Sequence, residues 1–356
     1  FSGLLCPLLC SLFAQPSKSP KTFLITLDGL RWQEVFGGAV DSIMQNKEYT
    51  QGQKKIWEAF HADNQKDARK KLMPWFWSTM LLEGQLYGNR WEGSTVNCRN
   101  KQHLSYPGYN EMLTGDADPS VDSNARKYND NVTVLEWLDK TPGFQGKVAA
   151  FGSWDVFPYI LNDKGSGLAV KGGFMSEEGS ALPEAILNTL QQQIPKPWPG
   201  VKLDAFTQHY AMEYIRERHP RVVYIGYGEN NDATPDSSYD HYLHSVHQID
   251  KFIANIWDFI QTDPFYRNQT TLLITTDHGR GAVPVNHWKS HGPDIEGSDE
   301  IWFAAIGPKV TPKGVVKGGP QFYQYQIAAT LARSLGLRFE GVTARPGPAM
   351  EGVIER

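Results

Sequence analysis

Asp277 and His278 are adjacent, follow a run of six β-prone residues (Thr271 to Thr276) and precede Gly279-Arg280-Gly281. Carboxylate and imidazole are common metal ligands, and the flanking glycines let the backbone turn tightly. The stretch therefore reads as a buried strand that ends in a metal site. Ligands of open α/β sheets gather at the carboxyl ends of the strands, which is where this pair falls. A second β-prone run, Phe23 to Leu27, also ends in an acid and a glycine, Asp28-Gly29. Two Asp-bearing tips so far apart in the chain predict neighbouring strands of one sheet.

Further candidates sit in the loop Gly228-Glu229-Asn230-Asn231-Asp232 and in Asn286-His287-Trp288-Lys289-Ser290-His291-Gly292. Carboxylates mixed with imidazoles suit Zn²⁺ or Mn²⁺ and, with more oxygen ligands, Mg²⁺ or Ca²⁺. Ser105, just before Tyr106-Pro107-Gly108, offers a hydroxyl that such a metal could activate as a nucleophile. The combination suits transfer of phosphoryl or sulfuryl groups. Each piece also has an ordinary reading, the Asp after a strand as a helix N-cap and the Ser as a turn residue. His241, His244 and His247 recur at threes on one helix and are read as part of its face.

The elements that must position these residues alternate between strand and helix. Strands are expected at 21–30, 84–90, 147–151, 221–226, 271–276 and 301–306, and helices at 74–82, 132–140, 205–218, 239–260 and 323–335. The Pro-Gly pair after Ser105 predicts a tight turn that runs into a short helix at Glu111-Met112-Leu113. This alternation calls for an α/β fold: a doubly wound, mostly parallel sheet with helices on both faces. Residues 20–340 form a single domain in this reading. Weak periodicity and the Gly and Pro clusters over 159–220 predict an inserted cap packed on the sheet rather than part of it.

With 356 residues and a net charge of −4, the chain is large enough for one such domain and lacks the basic runs of a general nucleic-acid binder. Residues 1–15 are mostly apolar and resemble the hydrophobic part of a secretory signal; the run is too short to span a membrane. An exported protein, periplasmic or secreted and without a membrane span, is expected. Cys6 and Cys10 fall in that segment, so Cys98 alone remains and no intrachain disulfide is available.

These segments resemble the alkaline-phosphatase superfamily, in particular its nucleotide pyrophosphatase/phosphodiesterase-like branch. The resemblance is carried by Leu27-Asp28-Gly29-Leu30-Arg31, by Ser105 through Gly115 (SYPGYNEMLTG), by Thr276-Asp277-His278-Gly279 and by His291-Gly292, in order over roughly residues 20–340. It implies that Ser105 is a nucleophile bridging two metal ions, zinc foremost, and forming a covalent phospho-enzyme. One ion would be held by Asp28, Asp277 and His278 with Ser105, and Asn124 would face a phosphoryl oxygen. The second ion's set is broken: His291 is present, but Asn231 and Pro235 fall where an Asp and a His are expected. Glu229, Asp232 or Asp236 could rebuild that set. Alternatively one metal suffices, as in sulfatase-like and phosphonate-hydrolase-like relatives, with Lys289, His287 or His291 supplying positive charge. The third option is a degenerate member that binds a ligand without turnover. The expected function is a metal-dependent hydrolase of small phosphate (or sulfate) esters, favouring diesters or other singly charged esters.

Overall fold

A computed structural model describes residues 19–175, 182–232, 238–340, 342–343 and 345–355. Pro235, Asp236, the side chain of Asp232 and the signal-like segment 1–15 lie outside the described residues.

Eleven strands are assigned among the described residues: β1 Lys21–Leu27, β2 Gly84–Tyr87, β3 Val96–Asn97, β4 Val148–Gly152, β5 Ala169–Gly172, β6 Val222–Tyr227, β7 Thr270–Thr275, β8 Glu300–Ile301, β9 Phe303–Ile306, β10 Gly314–Val315 and β11 Phe322–Tyr323. Eight of them form one sheet in the order β10-β2-β9-β7-β1-β6-β4-β5, and β11-β3-β8 form a second, small one. In the large sheet only β9 runs antiparallel to its neighbours β7 and β2. The expected α/β class, mostly parallel and covered on both faces, is the one observed.

Strands covered on both faces must be apolar along their whole length, and β1, β6 and β7 are buried at every residue. Alternation then divides them between two cores. Phe23, Ile25 and Leu27 pack with the long helix Tyr239–Thr262. Leu24, Tyr224 and Leu273 pack on the opposite face with the helices Ser105–Thr114 and Ile327–Ser334. The register Thr26↔Thr275 sets the ends of β1 and β7 side by side, so Asp28 and Asp277 emerge as neighbours.

Three expectations change. The helix begins at Ser105 itself and runs to Thr114, where a tight turn and a short helix were read. Pro107 lies in the first turn, where a backbone N–H has no intrahelical acceptor anyway, so it does not break the helix. Gly108 is needed because a Cβ there would lie 2.3 Å from the Asp277 carbonyl oxygen. Within 159–220, Ala169–Gly172 joins the sheet at its edge beside β4, so that stretch is not wholly outside the sheet. The run 301–306 is broken at Trp302, whose buried indole donates to Leu30 O at 3.0 Å, and the two halves join different sheets.

Glu111 holds the Ser105 helix in place. Its buried carboxylate accepts from Arg99 N at 2.9 Å, Asn100 N at 2.7 Å, Asn100 Nδ2 at 2.8 Å and Tyr325 N at 3.1 Å. Removing it strands several buried donors, each costing about 1–3 kcal/mol. Glu111→Leu is therefore expected to lose about 3 kcal/mol or more, read as a lower urea midpoint at unchanged m-value.

Candidate active site and metal centre

Asp28, Ser105, Asp277 and His278 arrive from three places, the tip of β1, the first turn of the helix 105–114 and the tip of β7, and converge within a buried space. Ser105 Oγ lies 3.4 Å from Asp28 Oδ1 and 3.3 Å from His278 Nε2. His278 Nε2 lies 3.5 Å from Asp28 Oδ1 and 3.6 Å from Asp277 Oδ2. A tetrahedral ion with bonds of about 2.1 Å has ligand-to-ligand edges of roughly 3.4 Å. The observed separations are of that size.

The donors also suit a cation chemically. Asp277 Oδ2 is buried without a hydrogen-bond partner, the condition of a ligand atom awaiting an ion. His278 Nδ1 is 2.9 Å from the Gly279 carbonyl, which can only accept, so Nδ1 carries the proton and Nε2 turns its lone pair toward the carboxylates. Burial, then the charge of Asp28, pushes the Asp277 carboxyl up to about 7 against the pull of His278. Burial depresses His278, but Asp277 and Asp28 outweigh it and the net shift is upward. Both shifts describe a pair of crowded carboxylates short of positive charge, and the residues present fit a divalent metal.

Neighbouring groups fix these side chains. Asp277 Oδ1 accepts from Gly29 N at 2.8 Å, and Gln324 Nε2 donates to the Asp277 carbonyl at 2.6 Å. Tyr109 donates its hydroxyl to Asp28 Oδ2 at 3.0 Å, and burial holds its acidity well below that of a free phenol. Asn230 Nδ2 donates to the Asp28 carbonyl.

Of the remaining expected residues, Asn124 is exposed at the start of the helix 105–114, where its Oδ1 accepts from Tyr106 N at 2.9 Å. His291 stacks on His278 with ring centroids 3.9 Å apart but is not a member of the Asp28, Asp277, His278 cluster. Burial, His278 and Arg280 depress its pKa to about 2, and its Nδ1–H donates to His103 O at 2.9 Å. Asn231 Oδ1 accepts from Arg280 Nη2. Glu229 turns away from the centre: its Oε2 accepts from Asp204 N and its own N–H donates to Asp204 Oδ2 at 3.1 Å. Glu229 therefore does not rebuild a second ligand set. Among the described residues the one cluster with metal-ligand spacing is Asp28, Asp277 and His278.

Sequence reasoning gave no role to Tyr109 or Arg280. Tyr109 stands four residues after Ser105, on the same helical face, a signal that becomes visible only once the turn is recognised as a helix. Arg280 lies between two glycines beside the ligands, where a turn masked it.

No protein-family model matches the chain, and no curated protein matches it. Solved structures do. An alkaline phosphatase, PafA, aligns with TM-score 0.62 and 9% identity over 96% of this chain and 100% of that one. The lipoteichoic acid synthase LtaP from Listeria monocytogenes aligns with TM-score 0.58 and 11% identity over 91% of this chain and 74% of that one. A 2-O GAG sulfatase aligns with TM-score 0.55 and 13% identity over 93% of this chain and 73% of that one. At such identities the likeness concerns the fold, and that fold is the one shared by the alkaline phosphatase superfamily.

Groups that orient metal ligands are typically worth 10–100-fold in metal affinity. Tyr109→Phe is accordingly expected to weaken zinc binding to the metal-stripped protein by about 10-fold or more in calorimetric titration, with Asp277→Asn weakening it further.

Proposed function

We propose that this protein is a metal-dependent hydrolase of phosphate esters in which Ser105 is the nucleophile. The observation that carries the reading is the position of Ser105 Oγ, 3.4 Å from Asp28 Oδ1 and 3.3 Å from His278 Nε2, at the first residue of a helix. A serine in an ordinary turn has no reason to sit against two buried metal-ligand types. The named activities of structures with this fold, a phosphatase, a synthase of lipoteichoic acid and a sulfatase, support ester chemistry as the class. The motif order supports the finer placement near nucleotide pyrophosphatases and phosphodiesterases, with zinc as the ion.

A bound divalent ion would supply Lewis-acid polarisation and stabilise the Ser105 alkoxide near neutral pH. Asp28, Asp277 and His278 would hold it. Ser105 Oγ attacks phosphorus, the new O–P bond forms as the bond to the leaving oxygen breaks, and the alcohol departs with a proton from solvent. Water then attacks the phosphoserine and restores the Ser105 hydroxyl, releasing the second product. The N-terminal end of helix 105–114 carries partial positive charge that favours the anionic group. Asn124, whose Oδ1 is engaged by Tyr106 N, keeps its Nδ2 to donate to a phosphoryl oxygen. Tyr109 and Gly29 keep the two carboxylates from rotating away.

The test compares wild type with Ser105→Ala on an aryl phosphate diester, a monoester and an aryl sulfate. A loss of about 10³-fold or more in kcat is expected for the variant. Acid quench of wild type during turnover should trap phosphate on Ser105, detected by peptide mass spectrometry. Equal turnover by both proteins overturns the nucleophile assignment, and absence of bound metal in active protein overturns metal dependence.

A further inference from the structure

Of the chain's 11 tryptophans, Trp91 alone is exposed, at 51% of its surface. An isolated exposed apolar side chain is ordinary; this one is distinguished by its position and its support. β2 is antiparallel to β9 and β9 is antiparallel to β7, so β2 and β7 run the same way. The loop that follows Tyr87 and carries Trp91 therefore leaves the sheet at the end where Asp28 and Asp277 lie, which is where open α/β sheets hold their ligands. Two strand spacings, about 10 Å, separate β2 from β7.

The indole is propped on both metal-ligand loops. Its rim rests on Gly37, where a Cβ would lie 2.8 Å from Trp91 Cη2, and Trp32 meets it edge-on with ring centroids 4.6 Å apart at 64°. Trp32 opens the helix that follows Asp28, and its indole donates to Glu300 Oε2 at 2.7 Å. Glu300 in turn lies against the β7 tip: a Cβ on Gly279, the residue after His278, would lie 2.3 Å from Glu300 O. The groups beside the ring are polar and half-buried. Glu300 Oε1 is 3.4 Å from Arg90 Nε, Arg90 Nη2 donates to Asn97 Oδ1 at 2.8 Å, and Asn97 is the register partner of Glu300 in the small sheet.

An apolar plate bordered by a carboxylate, a guanidinium and an amide is complementary to a sugar ring, whose C–H face is apolar and whose rim of hydroxyls both donates and accepts. A nucleobase has two π-faces and gains most between two parallel rings. Here the second indole is edge-on and 7% exposed, so a single face is offered.

We propose that Trp91, backed by Trp32 and bordered by Glu300, Arg90 and Asn97, is a saccharide subsite, and that the ester presented to Ser105 is carried by a saccharide with a neighbouring ring stacked on Trp91. The ester half of this inference rests on the hydrolase reading above, whereas the binding half stands without it. A lateral separation of about 10 Å suits an ester on one sugar unit and stacking of another.

The experiment applies full-length wild type and Ser105→Ala to an array of neutral, phosphorylated and sulfated oligosaccharides. The saccharide retained best is then titrated by calorimetry, with adenosine and zinc titrated alongside. Both proteins are expected to bind a saccharide. Trp91→Ala should weaken that binding about 10-fold or more, and Trp91→Tyr, which keeps an aromatic face, by less than about 5-fold. Glu300→Gln should weaken it about 3- to 10-fold. All three variants should keep wild-type zinc affinity, which a collapse of the neighbouring loops would not leave intact. On the phosphorylated or sulfated form of the same saccharide, Trp91→Ala should raise KM about 10-fold with kcat within about 3-fold of wild type. Retention of no saccharide on the array overturns the proposal, as does undiminished binding by Trp91→Ala. Adenosine bound more tightly than any saccharide and lost in Trp91→Ala assigns the plate to a nucleobase and also overturns it. Should Trp91→Ala not fold, unchanged binding by Glu300→Gln has the same force. Turnover by Ser105→Ala counts against the hydrolase reading alone, whereas wild type that cleaves an aryl diester but no ester of the bound saccharide counts against the substrate half of the proposal.

Discussion

Two carboxylates are driven together by a parallel strand register. Because β1 and β7 pair as Thr26↔Thr275, the first turns beyond them bring Asp28 and Asp277 into one buried space. Like charges at such separations cannot both be ionised in a low-dielectric interior without a cation. The folding of the sheet, stabilised by apolar burial on both faces, therefore supplies the repulsion that a divalent ion relieves. His278 and Ser105 complete a geometry whose central demand the sheet has already set.

Ser105 is brought to this pair by close packing of backbone. Gly108 lets the helix 105–114 lie directly on the Asp277 carbonyl, and Glu111, one turn further on, accepts from the 99–100 loop and from Tyr325. The same helix presents Tyr109 to Asp28. One short helix thus carries Ser105 and Tyr109 toward Asp28 and, on another face, the Glu111 anchor that fixes its own orientation. A side chain at 108 would push Ser105 away from Asp28 and His278 together.

Strand tips were legible because a buried parallel strand is a long apolar run, and an Asp or His at its end stands out against it. That signal identified Asp28, Asp277 and His278 without knowledge of their contacts, and it identified β1 and β7 as neighbours. What stayed hidden depended on tertiary approach. Ser105-Tyr106-Pro107-Gly108 carries turn chemistry in its local sequence, and only the Asp277 carbonyl explains why a glycine belongs inside a helix there. Trp302 looks like the middle of a strand until its indole is seen to bind Leu30 O. Gly279-Arg280-Gly281 reads as a turn, and nothing local indicates that the arginine folds back onto Gly29, Asn231 and Lys289.

The loop after β6 shows why carboxylate content alone does not make a metal site. Asp204, the first residue of the helix 204–218, accepts from Ser153 Oγ, from Gly228 N at 2.9 Å and from Glu229 N, while Glu229 returns a bond to Asp204 N. Burial and the charge of Glu229 raise the Asp204 carboxyl well above its ordinary range. The exchange ties the β6 tip to the 204–218 helix, which lies within the 159–220 stretch, instead of to the β1 and β7 tips. Movement of the Glu229 side chain toward the centre would leave the first N–H of that helix without its partner, at a cost of about 1–3 kcal/mol. The loop is thereby committed to holding the 204–218 helix against the sheet.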